Sequence, residues 1–159
     1  SGYGINGRNL ARAARQFGFP YSIVEMNPRT VREEIARDEP IYFGDATNEA
    51  VLTTAGAQRA RAAAVVIGDA AAARSIVALL RRLNPSLHIV TRTRFLAEVQ
   101  PLYDLGASDV VPEEFETSIE IFNRTARYFD LPEEAVRNLE CNIRQDHYGV
   151  LRRAQDCDE

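Results

Sequence analysis

The chain has 159 residues, which suits one domain with an appendage and allows one sizeable core. Its 45% hydrophobic and 26% charged content is that of a globular protein, and its net charge of −4 argues against a general nucleic-acid or anionic-membrane partner. Every one of its 19 basic residues is arginine, so lysine chemistry is absent and any basic side chain on a phosphate is an arginine. Cys141 and Cys157 form no C-x-x-C pair or Cys/His cluster, so neither a metal site nor a disulfide framework is expected. No signal-peptide pattern is visible, and no run of about 18 apolar residues could cross a bilayer.

The chain opens on Ser1-Gly2-Tyr3-Gly4-Ile5-Asn6-Gly7, a G-x-G-x-x-G pattern that ordinarily follows a strand; here no strand precedes it. A helix is expected over 8–17, with Leu10, Ala13, Ala14 and Phe17 at helical spacing, ended by Gly18. Residues 21–25 read as a short buried strand. Asn27-Pro28 caps a second helix over 30–38, with Val31 and Ile35 facing inward. A strand at 41–43 leads into Gly44-Asp45-Ala46-Thr47 and a short helix over 48–55. Residues 63–67 form a strand ending in Gly68-Asp69, and a longer helix covers 71–83. A strand at 88–91, a helix over 95–105 carrying Phe95, Val99, Leu102 and Leu105, and a strand at 108–111 complete the alternation. Strands alternating with helices, the strands being apolar runs, predict a doubly wound parallel sheet covered on both faces. The strand normally preceding the fingerprint would make these five strands the six of a dinucleotide-binding fold.

The pattern changes after Pro112. A helix over 113–130 carries Phe115, Ile119, Phe122, Ala126 and Phe129 along one face. Leu131-Pro132 breaks it, and a second helix follows over 132–153 with a polar tail. The expected organisation is therefore a nucleotide-binding domain over 1–112 and a helical extension over 113–159.

Four features together point to a nucleotide. Gly2 permits the tight turn, Gly4 lets a pyrophosphate approach the backbone, and Gly7 lets helix and strand pack closely. Amides of the following helix supply donors for phosphate, so Ile5 and Asn6 join the candidate set. Glu25 ends the next strand, where an acid accepts from the ribose hydroxyls and repels a 2′-phosphate; Met26 beside it is a further candidate. Asp45 and Ala46 are placed to border an adenine ring, and Thr47 to cap the next helix, although capping alone would also explain Asp45 or Thr47. Arg92, with Gly68 and Asp69 at the end of the preceding strand, is the candidate cation for the pyrophosphate. Neither His88 nor His147 is placed as a general base, and no catalytic residue or metal site is expected. A glycine turn without ligand would give the fingerprint alone; the agreement of the four features is what carries weight.

These segments resemble the RCK/KTN (TrkA-N) domain, most closely the C-terminal domain of Kef-type potassium/proton antiporters. The resemblance rests on GYGINGRNLA (2–11), the strand ending in Glu25, YFGDATNEAVLTTAGA (42–57), AAVVIGD (63–69), HIVTRTR (88–94) and LGASDVVPEEFETSIEI (105–121). It implies a six-stranded Rossmann fold, a homodimer whose final helices cross to the partner, and NAD(H) or AMP/ADP as a bound regulatory ligand. It further implies a cytoplasmic domain on the cytosolic side of the cell membrane that gates an attached potassium channel or antiporter and catalyses no reaction. The same resemblance puts ribose on Glu25, phosphate on Gly4 to Gly7 and Arg92, and adenine beside Asp45, Ala46 and Thr47. The other readings of the residues are a fragment of an NAD-dependent dehydrogenase and a dimerisation module with a degenerate pocket.

Overall fold

A computed structural model describes residues 3–129 and 131–145. It divides into two compact units, one of residues 1–93 with 97–111 and one of residues 94–96 with 112–159.

In the first unit, strands and helices alternate in the expected order: α1 (Ile5–Gln16), β1 (Ile23–Glu25), α2 (Pro28–Ile35), β2 (Ile41–Phe43), α3 (Glu49–Thr54), β3 (Ala62–Val65), α4 (Ala70–Leu83), β4 (His88–Thr93), α5 (Val99–Asp104) and β5 (Asp109–Pro112), whose last residue belongs to the second unit. Local chemistry sets several of these ends. Gly18, at φ +71, follows α1, and the amides of Gly18 and Phe19 close back on Arg15 and Ala14. Asn27 accepts from the amides of Arg29 and Thr30 with Pro28 behind it, as the sequence predicts. Gly106, at φ +101, ends α5.

The strands form two ladders. β1 pairs with β2 in parallel, with Glu25 opposite Phe43, and β3, β4 and β5 form the second sheet, with Val65 opposite Thr91 in a parallel β3–β4 pair. In the doubly wound order 3-2-1-4-5-6, these are strands 3-2 and 4-5-6, and the break falls where that order puts strand 1. The exposures give the first corrections to the sequence reading. The strands are not covered on both faces: Tyr42, Phe43, Ala62 and Ala64 are exposed. Along α1 only Ala11 is buried, whereas Leu10 and Ala13 are exposed and Phe17 is 69% exposed, because the helix has no continuous sheet to lie on.

The larger core lies where α4 and α5 meet the three-stranded sheet, with Val77, Leu87, Ile89, Val99 and Leu102 essentially removed from water. A smaller cluster joins Tyr3, Ala11, Val31 and Ile41, flanked by Tyr21 and Ile23. Ile35 is exposed, contrary to expectation, and the neighbouring Glu34 is the buried residue, because it accepts from both Arg8 and Arg37 at 2.6 and 2.8 Å. The expected helix over 95–105 begins as a 3-10 turn at Leu96–Glu98, and Phe95 stands exposed outside it.

The second unit is a helical pair, α6 (Glu113–Tyr128) and α7 (Glu133–Gln145). Glu113, Glu114 and Glu116 in the first turn of α6 suit the positive end of its dipole. Arg144 bridges α7 to Glu116 of α6 at 2.8 and 3.0 Å, and the Asn123 amide donates to Glu140. The apolar stripe read from the sequence is only partly buried: Ile119 and Ala126 are covered, but Phe122 and Phe129 are exposed. Residues 146–153 of the expected final helix lie outside the described residues. Among the described residues no helix is long and apolar enough to cross a membrane, and no cluster of His, Cys, Asp and Glu could hold a metal ion.

Candidate functional site

The turn 4–7 enters α1 directly. Gly4 is the N-cap residue, so Ile5, Asn6 and Gly7 form the first helical turn, ahead of the start suggested by apolar spacing. The first intrahelical bond runs from the Arg8 amide to the Gly4 carbonyl at 3.0 Å, and the amides of Ile5, Asn6 and Gly7 have no carbonyl within the helix to donate to. No side chain caps this end, and no acid lies in its first turn. By contrast α2, α3 and α4 are capped by the side chains of Asn27, Asn48 and Asp69. The start of α1 therefore keeps its donors and roughly half a positive charge for an anion. Gly2 lies outside the described residues.

Glu25 ends β1 beside this turn and is 2% exposed. Its Oε2 accepts from the Tyr3 amide at 2.6 Å and its Oε1 from the Asn27 amide at 2.7 Å. Burial pushes the carboxyl up, the Tyr3 and Asn27 amides lead the opposing causes, and the balance lies below the ordinary glutamate range. The carboxylate is thus ionised and fixed in orientation. It offers about four acceptor positions, and the Tyr3 and Asn27 amides approach one oxygen each. Met26 is exposed next to it.

The Gly44 amide donates to the Glu25 carbonyl at 3.1 Å, which carries the register of β1 and β2 into the turn at 45–47. A β-carbon on Gly44 would meet both γ-carbons of Val51 at 2.8 Å, so α3 packs here only against glycine. Asp45 accepts from the Thr47 amide at 2.8 Å, which lowers its pKa, and Ala46 is half-buried between them. The expected cap at Thr47 is corrected: Asn48 caps α3 by accepting from Ala50 at 2.9 Å, because it stands one position nearer the helix.

Gly68 and Asp69 follow the end of β3, and Arg92 is the penultimate residue of β4. The Nη2 of half-buried Arg92 lies 3.9 Å from where a β-carbon on Gly68 would stand, in ordinary contact. Asp69 accepts from the Ala72 amide at 2.7 Å and caps α4, which is sufficient reason for an acid there. Arg94 is exposed and pairs with Glu113 at 3.6 Å within the second unit. The site residues thus fall into two groups at the C-terminal ends of the two ladders: the turn 4–7 with Glu25 and 45–47, and Gly68 with Asp69 and Arg92.

Sequence reasoning passed over Tyr3, Arg8 and Glu34. Tyr3 is an x position of the fingerprint, and the motif assigns roles only to glycines; the aromatic side chain between two glycines was the available signal. Tyr3 is buried, and the Arg8 guanidinium sits 5.0 Å from its ring centroid. The second unit carries a groove of about 210 Å³ lined by Asn123, Arg127, Leu131, Glu133, Val136, Arg137 and Glu140, none of them a candidate site residue from the sequence.

Known proteins share this sequence pattern and fold. The chain is 26% identical over 152 residues to a protein described as a K(+) efflux antiporter, KefB, of Alkalimonas amylolytica; the match takes in 96% of this chain and 23% of that protein. The chain therefore spans about a quarter of that relative. Among solved structures, the TrkA-N domain of the inner membrane protein ybaL of Escherichia coli superposes with a TM-score of 0.74 at 28% identity, over 77% of this chain and 90% of that one. The Kef C-terminal domain of Shewanella denitrificans, in AMP-bound form, shares the fold at a TM-score of 0.76 and 23% identity, over 94% of this chain and 91% of that one. The family model described as the TrkA-N domain matches residues 1–113, more than half of the sequence, and the chain belongs to that family.

Proposed function

We propose that this chain is a regulatory module that binds an adenine nucleotide, NAD(H) or AMP/ADP, and thereby gates a potassium channel or potassium/proton antiporter on the cytosolic side of a membrane. The observation that carries the reading is the juxtaposition at the start of α1. An uncapped, acid-free helix terminus stands one hydrogen bond, Tyr3 amide to Glu25, from a carboxylate held ionised and oriented. That pairing is what an adenosine phosphate asks for: amide donors for phosphate and an acceptor for ribose hydroxyls. Phosphate rests on the amides of Ile5 to Gly7, ribose on Glu25, adenine beside Asp45 and Ala46, and Arg92 answers the pyrophosphate. Kinship with the TrkA-N family, the antiporter relative and the AMP-bound neighbour support the same reading.

The mechanism is linkage. A nucleotide that prefers one arrangement of a homodimer shifts its population by the difference in affinity, typically about 1–3 kcal/mol. The pair α6–α7, with Phe122, Tyr128 and Phe129 exposed, is the lever we assign to the dimer. Calorimetric titration of the chain with AMP, ADP, NAD and NADH tests the binding. Saturable heat from at least one of them is expected, with no NADH produced from NAD and hydroxy acids. No heat from any of the four, or steady NADH production, would overturn the reading.

A further inference from the structure

The amide of Tyr3 reaches Glu25 because its side chain is anchored. The ring is buried in the small cluster with Ala11, Val31 and Ile41, and the Arg8 guanidinium lies over its face at 5.0 Å. Arg8 is itself held by Glu34, whose buried carboxylate accepts from Arg8 Nη1 at 2.6 Å and Arg37 Nη1 at 2.8 Å. A continuous chain therefore runs from α2 through Glu34, Arg8 and Tyr3 to Glu25.

We infer that Tyr3 and Arg8 are positioning residues for the nucleotide ribose: the anchored Tyr3 ring sets the main-chain amide that orients Glu25, and Arg8, fixed by Glu34, holds the ring in place. This inference rests on the adenine-nucleotide reading above and assigns it two further residues. Neither side chain need touch the ligand. Two amides on different carboxylate oxygens fix both the tilt and the depth of the group. Removing the Tyr3 anchor releases one of them, and the Oε2 side of the carboxylate is then less firmly held. The loss should appear only in interactions made with ribose hydroxyls. Tyr3→Phe keeps the ring and its burial; Tyr3→Ala removes the anchor; Arg8→Met keeps the stem and removes the cation over the ring and the ion pair with Glu34.

The test is a ligand cycle. Calorimetry measures the Kd of AMP, the moiety common to all the proposed ligands, and of 2′,3′-dideoxy-AMP, for the wild-type chain and for Tyr3→Phe, Tyr3→Ala, Arg8→Met and Glu25→Gln, with thermal unfolding followed in parallel. The wild type should prefer AMP by on the order of tenfold or more, a hydrogen bond to a charged group, and Glu25→Gln should lose that preference. Tyr3→Ala should reduce the preference to within about twofold and Arg8→Met to an intermediate value, while Tyr3→Phe retains it. If Tyr3→Ala and Arg8→Met weaken both nucleotides equally and keep the preference, the positioning role is wrong while the ribose site on Glu25 stands. Should Tyr3→Ala fail to fold, Arg8→Met alone decides in the same way. A wild type that binds AMP without preferring it over the dideoxy form, or does not bind AMP, removes the ribose assignment and the inference with it.

Discussion

The Glu25 carboxylate and the Tyr3 amide meet at 2.6 Å across 22 residues of sequence, joining the end of β1 to the glycine turn before α1. This bond makes the site's acid a structural element as well as a candidate ligand contact.

Acid stability follows from that double role. The folded pKa of Glu25 lies below its usual value of 4.5, so its contribution is fully present above about that pH and disappears as the pH falls through the folded value. Glu25→Gln should cost about 1–3 kcal/mol at neutral pH, since it unbalances buried amide donors. The difference from wild type should shrink steadily on acidification. Urea unfolding at pH 7, 5 and 3.5 checks this; a difference that grows toward low pH would contradict it.

Arg92 and Arg94 separate by role although they stand two residues apart. Arg92, half-buried against Gly68, is the arginine we propose for phosphate; Arg94 is exposed and tied to Glu113. Arg92→Ala should weaken ADP or NAD binding by about 1–3 kcal/mol and flatten its salt dependence, and Arg94→Ala should leave both within about twofold. Titrations at two ionic strengths compare them.

Gly44 is constrained by its neighbour rather than by its backbone. A β-carbon there would press on Val51 at 2.8 Å, so Gly44→Ala should destabilise by about 1–3 kcal/mol. Adding Val51→Ala should recover much of that loss. Denaturant midpoints for the two single variants and the double variant measure the coupling.

Gly106 differs in kind. Its φ of +101 disfavours any side chain, and a β-carbon would stand 2.7 Å from Arg81 Cγ, on the arginine that donates to the Gly106 carbonyl at 2.7 and 3.0 Å. Gly106→Ala should cost about 1–3 kcal/mol, and Arg81→Ala should not rescue it, because the backbone strain remains and the arginine's bonds to the Gly106 and Pro85 carbonyls are lost.

Much of this was legible beforehand. The order of elements came from apolar runs alternating with helical spacing, and the ends at Gly18 and Asn27-Pro28 came from residue chemistry that needs no tertiary context. The buried face of α1 was not legible: Leu10 and Phe17 have the right spacing, but burial depends on which sheet lies beneath, and the ladder breaks there. The inward turn of Glu34 was hidden because its burial needs Arg8, 26 residues away, besides Arg37 three residues on, and helical periodicity records only the second. Within the site, the fingerprint located the turn and Glu25. It said nothing of Tyr3, since the amide that orients the acid belongs to a position the motif leaves open.

A crystal structure of the chain grown with excess AMP tests the central claim most directly. The account predicts phosphate within hydrogen-bond distance of the amides of Ile5 to Gly7 and both ribose hydroxyls on the Glu25 carboxylate. AMP bound at any other place, or a Glu25 carboxylate that keeps only its amide partners at saturating nucleotide, would contradict it.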